Sequence, residues 1–135
     1  MARKTARQVA MQLIYQYELG GDGISCTIEE SMDKPELDAE DMLYIENMLE
    51  GTNDKQEELD DIVTKYAVGW KIERIAKVDL SILRLAIYEM LYREDIPESV
   101  SINEAVELAH TYSTPEAASF INGILGSVSR APKGE

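Results

Sequence analysis

Catalysis needs positioned companions, and the reactive residues of this 135-residue chain mostly lack them. His110 is the sole histidine, with no HExxH or second-histidine arrangement around it, so neither a zinc site nor an oriented general base can be built on it. Cys26 is likewise alone and can form neither an internal disulfide nor a thiolate cluster, so it reads as a small apolar residue. Glu104 and Glu107 make an ExxE spacing, but a di-metal bundle also requires ExxH units on facing helices. Gly20, Gly21 and Gly23 lack the strand, spacing and Lys-Ser/Thr of a phosphate-cradling loop. No enzyme, metal or other cofactor is expected. The remaining chemistry is that of binding. Arg3, Lys4 and Arg7 cluster near the N-terminus, further cations stand at Lys65, Lys71, Arg74 and Lys77, aromatic rings at Tyr15, Tyr112 and Phe120, and an amide at Asn122. Single-stranded RNA is held by such a mixture: cations take phosphates, rings stack on unpaired bases and amides read base edges. On composition alone the signal is weak, since Phe120 fits a plain core equally well.

Net charge does not oppose this. The total is -13, but residues 21 to 61 alone carry a net of -13, whereas residues 1 to 20 carry +2 and residues 62 to 135 carry -2. A charged ligand responds to the field within about 8 Å at physiological salt, so a basic N-terminal end stays usable. No run approaches the roughly 18 apolar residues of a membrane helix, and the opening MARKTARQ lacks the apolar centre of a signal peptide. A cytoplasmic protein is expected.

The elements that must position these residues are helical. Thr5 and Gln8 have capping-box spacing, and Ala6, Val9, Ala10, Leu13, Ile14 and Tyr17 then form one apolar stripe ending at Gly20-Gly21. Arg7, Met11 and Tyr15 line up beside that stripe, as a binding flank or as its widened edge. A short helix is expected near Ile24 to Met32, and Asp38 is expected to cap a long helix running through Gly51 to Tyr66. The carboxylates of that helix, among them Glu46, Glu50, Asp54, Glu57 and Asp61, read as a solvated face, or else as a dock for a basic partner. After a break at Tyr66 to Trp70, Asp79 is expected to cap a helix apolar on almost every side, hence central. Its exception, Arg84, must meet a carboxylate, with Glu89 and Glu104 as candidates. Ser101 with Glu104 reads as a capping box for a helix through Tyr112, and Thr114-Pro115 as the start of the last helix. Gly123 inside it implies close approach of another backbone. The fold class is all-α: a compact protein of about seven helices.

Four blocks carry a resemblance: RKTARQVAMQLIYQYE from Arg3, DLSILRLAIYE from Asp79, IPESVSINEAVELA from Ile96 and FINGIL from Phe120. In this order and spacing the chain resembles the NusB family of bacterial transcription antitermination factors over nearly its whole length. The resemblance implies one domain of two small packed bundles, an N-terminal one over about residues 1–66 and a C-terminal one over about 67–130, without enzymatic activity. It implies binding of the boxA element of nascent ribosomal RNA as a heterodimer with the ribosomal protein NusE, promoting processive transcription of ribosomal RNA operons and meeting RNA polymerase indirectly. Arg3, Lys4 and Arg7 would then meet phosphates, Tyr112, Phe120 and Asn122 would lie near bases, and Tyr15 and Asp79 would face the partner protein. Two departures stand out: Thr5 interrupts what is a denser arginine run in many relatives, and Ser119 occupies a position that is often basic. The competing expectation is a self-associating interaction module, a homodimer, whose RNA face is weak or lost.

Overall fold

Asp79 through Met90 are all buried, twelve consecutive residues with no solvent-facing side. Such a helix can exist only if neighbours cover it all round, and the surrounding elements do so. The computed structural model describes residues 3–19 and 37–131, and the expected helix near Ile24 to Met32, Gly20-Gly21 and Cys26 lie outside them. In chain order the described helices are α1 (Arg3–Glu18), α2 (Ala39–Asp54), α3 (Gln56–Tyr66), a 3-10 turn (Ile72–Arg74), α4 (Lys77–Tyr92), α5 (Glu98–Tyr112) and α6 (Pro115–Arg130). No strand occurs among the described residues, so the fold is all-α. The central α4 packs against each of the other five helices, while α1 pairs with α2 and α5 with α6.

Caps explain some boundaries and correct others. Asp38 accepts from the Asp41 amide at 2.8 Å while the Asp41 side chain accepts from the Asp38 amide at 3.2 Å, a reciprocal capping box. Thr114 accepts from the Ala117 amide at 3.0 Å, with Pro115 at the first helical position. Thr5, by contrast, lies inside α1, which already begins at Arg3. Asp79 sits in the first turn of α4 rather than at its cap, which is Ala76. α5 starts at Glu98 after Pro97, so Ser101 is one turn inside, where its hydroxyl donates to Glu89 at 2.7 Å. The long helix expected to run through Gly51 does pass it unbroken, but is divided at Lys55, the single residue between α2 and α3.

Gly51 and Gly123, both inside helices, exchange roles. A Cβ at Gly123 would meet nothing within 4 Å, so the expected close backbone approach there is absent. At Gly51 a Cβ would run into the phenol ring of the buried Tyr88 of α4. At Gly51 the Tyr88 ring of α4 therefore lies against the α2 backbone, and only hydrogen fits between them.

Arg84 is buried as expected, but its partners are others. Its guanidinium makes a forked pair with Asp60 of α3, Nε to Oδ1 at 2.8 Å and Nη2 to Oδ2 at 2.9 Å, and donates from Nη1 to Glu18 Oε1 of α1 at 2.6 Å. Glu89 and Glu104 pair with other cations, Arg7 and Lys4 respectively. Burial alone would lower the Arg84 pKa, yet the hydrogen bonds to Asp60 and Glu18 outweigh it and leave it raised.

Candidate nucleic-acid interface

Along the solvent side of α1, Lys4 and Gln12 lie two helical turns apart and both reach across to α5. Lys4 Nζ donates to Glu104 at 3.0 Å and to Glu107 at 2.6 Å, two carboxylates one turn apart on α5. Gln12 Nε2 donates to the Tyr112 hydroxyl at 3.0 Å, and the Tyr112 ring is 37% exposed. The hydrogen bond to Glu107, then that to Glu104, raises the Lys4 pKa, and the bond to Lys4 lowers that of Glu107. The seam thus joins an exposed cation and an accessible ring, both already engaged by neighbours.

A second locus lies where the 3-10 turn, the start of α4 and the start of α6 meet. Trp70, Arg74, Asp79, Thr114, Glu116 and Phe120 line an open groove of about 280 Å³. Trp70 is 52% exposed and its ring centroid stands 5.5 Å from that of Phe120, with the planes tilted by 57°. Gly69 just before it has φ +84°, a left-handed turn that suits glycine and brings the indole back over α6. Asp79 is 8% exposed, and its Oδ1 has no hydrogen-bond partner among the described residues. A buried acceptor without a donor costs free energy unless a ligand supplies one.

The structure brings some of the expected site residues together and separates others. Lys4 and Tyr112 share the α1–α5 seam, while Phe120 and Asp79 share the groove. Asn122 is exposed on α6, two residues beyond Phe120 and therefore on a different face of that helix. Tyr15 is half-buried against the core. The Arg3 side chain lies outside the described residues. Arg7 is a correction: it is 5% exposed, its Nε donates to Glu89 at 2.8 Å and its guanidinium lies 5.9 Å from the Tyr44 ring centre. A phosphate cannot reach a side chain so enclosed and so occupied. Met11, its neighbour on the flank, is equally buried, so that flank belongs to the core. Trp70 was not singled out as a site residue. The only hint was a tryptophan directly after a glycine in a helix break, which places a large ring at the surface.

Among the described residues no group of three or more His, Cys, Asp and Glu side chains could hold a metal ion. Nor is any helix among them long and apolar enough to cross a membrane.

A family model described as the NusB family matches residues 4–130. The chain is similar to the transcription antitermination protein NusB of Acetivibrio thermocellus, with 51% identity over 128 residues that cover 95% of this chain and 88% of that one. In three dimensions it is similar to T. maritima NusB, at a TM-score of 0.88 and 31% identity over 98% of this chain and 95% of the other. It also superimposes on a chain from a crystal structure of the antitermination factors NusB and NusE in complex with dsRNA, at a TM-score of 0.86 and 24% identity over 96% and 97% of the two chains, a likeness of fold.

Proposed function

The chain belongs to the NusB family, and from that premise we propose that it is a transcription antitermination factor that binds boxA RNA as a heterodimer with NusE. In this reading it is a non-enzymatic protein of the cytoplasm, acting on the elongating polymerase through nascent ribosomal RNA. Lys4 takes a backbone phosphate at the α1–α5 seam, and Tyr112 offers a ring beside it. Phe120 with Trp70 supplies the stacking surface, and exposed Asn122 meets a base edge. Asp79 and Tyr15 serve the protein partner, with the unpaired Asp79 Oδ1 awaiting a donor from NusE. The division into an N-terminal bundle of about residues 1–66 and a C-terminal bundle of about 67–130 belongs to the same proposal.

The observation that carries the reading is the Trp70–Phe120 pair, two large rings held partly open to solvent beside a cation, Arg74. With Arg7 buried and Lys4 paired, these two α1 cations give RNA less than their charge suggests, and NusE adds to the binding surface. A gel-shift titration of boxA RNA with the chain alone, with NusE alone and with both tests this. The mixture should bind boxA more tightly than a scrambled RNA, and equal binding of the two RNAs by the mixture would overturn the proposal.

A further inference from the structure

Lys4 is exposed yet not free. Its ammonium has three donors, and the neighbouring carboxylates engage it through contacts of 2.6, 3.0 and 3.3 Å. Each contact comes from a carboxylate oxygen, the same kind of anionic acceptor that a phosphate offers. Resting on the RNA-binding reading above, we infer that Glu104 and Glu107 of α5 are an internal competitor for RNA phosphate at Lys4 and so set the RNA affinity of this chain.

Geometry and exposure support a competitor rather than a lock. The Lys4 and Glu107 side chains are 55% and 63% exposed, and an ion pair in that setting is weak enough for a phosphate to displace. Displacement nevertheless leaves the phosphate beside two carboxylates anchored one turn apart on a helix. That repulsion acts well inside the screening length, so salt does not remove it. The same residues act in the opposite sense on the free protein, where they hold the Lys4 side chain over the α1–α5 seam. RNA binding therefore exchanges one set of contacts at Lys4 for another, and the net gain per cation is smaller than for an unpaired lysine.

The test is a double-mutant cycle read by binding of the full chain, in its heterodimer with NusE, to single-stranded boxA RNA across a salt series. Glu107→Gln should tighten binding about threefold, the scale of one exposed ion pair. The slope of log affinity against log salt should steepen by up to about 0.7, one further phosphate neutralised. Glu104→Gln with Glu107→Gln should add to the gain. Glu57→Gln, which removes an exposed carboxylate from α3, controls for net charge, and Lys4→Gln with Glu107→Gln removes the competition itself. The inference is overturned if Glu107→Gln gains no more than Glu57→Gln, or gains as much in the Lys4→Gln background. If the wild-type heterodimer and every variant heterodimer leave boxA RNA unbound, the RNA-binding reading fails and this inference with it; a wild-type heterodimer that binds while the cycle shows no coupling removes the competitor alone.

Discussion

Arg7 Nε donates to Glu89 Oε2 at 2.8 Å inside the core, joining α1 to α4 through a cation and an anion that are both almost completely shielded from water. Glu89 also accepts from the hydroxyls of Tyr44 on α2 and Ser101 on α5. One carboxylate thus receives donors from three other helices, which is why a charge is tolerable on the most buried helix of the protein. Burial tends to lower the Arg7 pKa, and the hydrogen bond and charge of Glu89 more than offset it, so the group stays ionised.

Arg7→Ala should therefore destabilise the fold by about 3–5 kcal/mol, since it leaves the Glu89 carboxylate buried without its counter-charge. Arg7→Glu, which sets two carboxylates against each other in the same space, should prevent folding at ordinary temperature. Thermal unfolding followed by circular dichroism checks both. A variant that melts like wild type but binds RNA less tightly would return Arg7 to the surface.

Arg84 presents the same argument with a different geometry. Its forked pair with Asp60 needs the planar guanidinium, so Arg84→Lys should retain the charge yet lose one of the two parallel hydrogen bonds. We expect Arg84→Ala to cost up to about 3 kcal/mol, below the fully buried limit because Asp60 and Glu18 are partly solvated, and Arg84→Lys about half of that. Denaturant titrations of the two variants give both values.

Glu18 makes part of this stability pH-dependent. Burial alone would raise its pKa, but the Arg84 hydrogen bond and charge, helped by Lys77, hold it below the ordinary value of 4.5. A carboxyl whose folded pKa is depressed stabilises the fold above its unfolded pKa, and that contribution is lost as the pH falls through the folded value. Unfolding free energy should consequently drop below about pH 4.5, and Glu18→Gln should show a shallower drop. Parallel slopes for the two proteins would mean that Glu18 is not coupled to Arg84.

Gly51 and Gly123 should respond to alanine with opposite signs. Gly123→Ala places a methyl in open space on an exposed helical position and should stabilise by up to about 1 kcal/mol. Gly51→Ala drives a methyl into the Tyr88 ring, whose displacement should cost about 1–3 kcal/mol despite the better helix propensity. Melting temperatures of the two variants relative to wild type decide the matter.

The sequence made the helices legible because their apolar spacing repeats locally, and α4 announced its central place by being apolar on nearly every side. Pairings between distant helices were not legible. Arg84 had four plausible carboxylates once Asp60 and Glu18 are counted, and nothing local says which one the topology brings near. Arg7 misled for a related reason: a long polar side chain beside an apolar stripe looks solvated until its partner, 82 positions away, is known. Gly123 and Gly51 are alike as letters, and only the position of Tyr88 distinguishes them. Of the candidate site, Lys4, Tyr112 and Phe120 were readable as residue types, whereas the carboxylates that hold Lys4 and the ring that flanks Phe120 come from other parts of the chain.

The stacking surface gives the last prediction. Rings tilted by 57° cannot both lie flat on one base, so Phe120 and Trp70 contribute unequally or to successive bases. Loss of one stacked ring costs about 1–3 kcal/mol, roughly 5- to 150-fold in affinity, so Phe120→Ala and Trp70→Ala should each weaken boxA binding within that range. Trp70→Ala is the cleaner variant, because a half-exposed indole contributes little to the core. Trp70 is also the only tryptophan of the chain, so its fluorescence reports on this groove alone. Adding boxA RNA to the heterodimer with a tryptophan-free NusE should quench that emission in step with the gel shift. RNA that shifts in the gel while leaving Trp70 emission unchanged would place the bases elsewhere, and the groove would then belong to the protein partner together with Asp79.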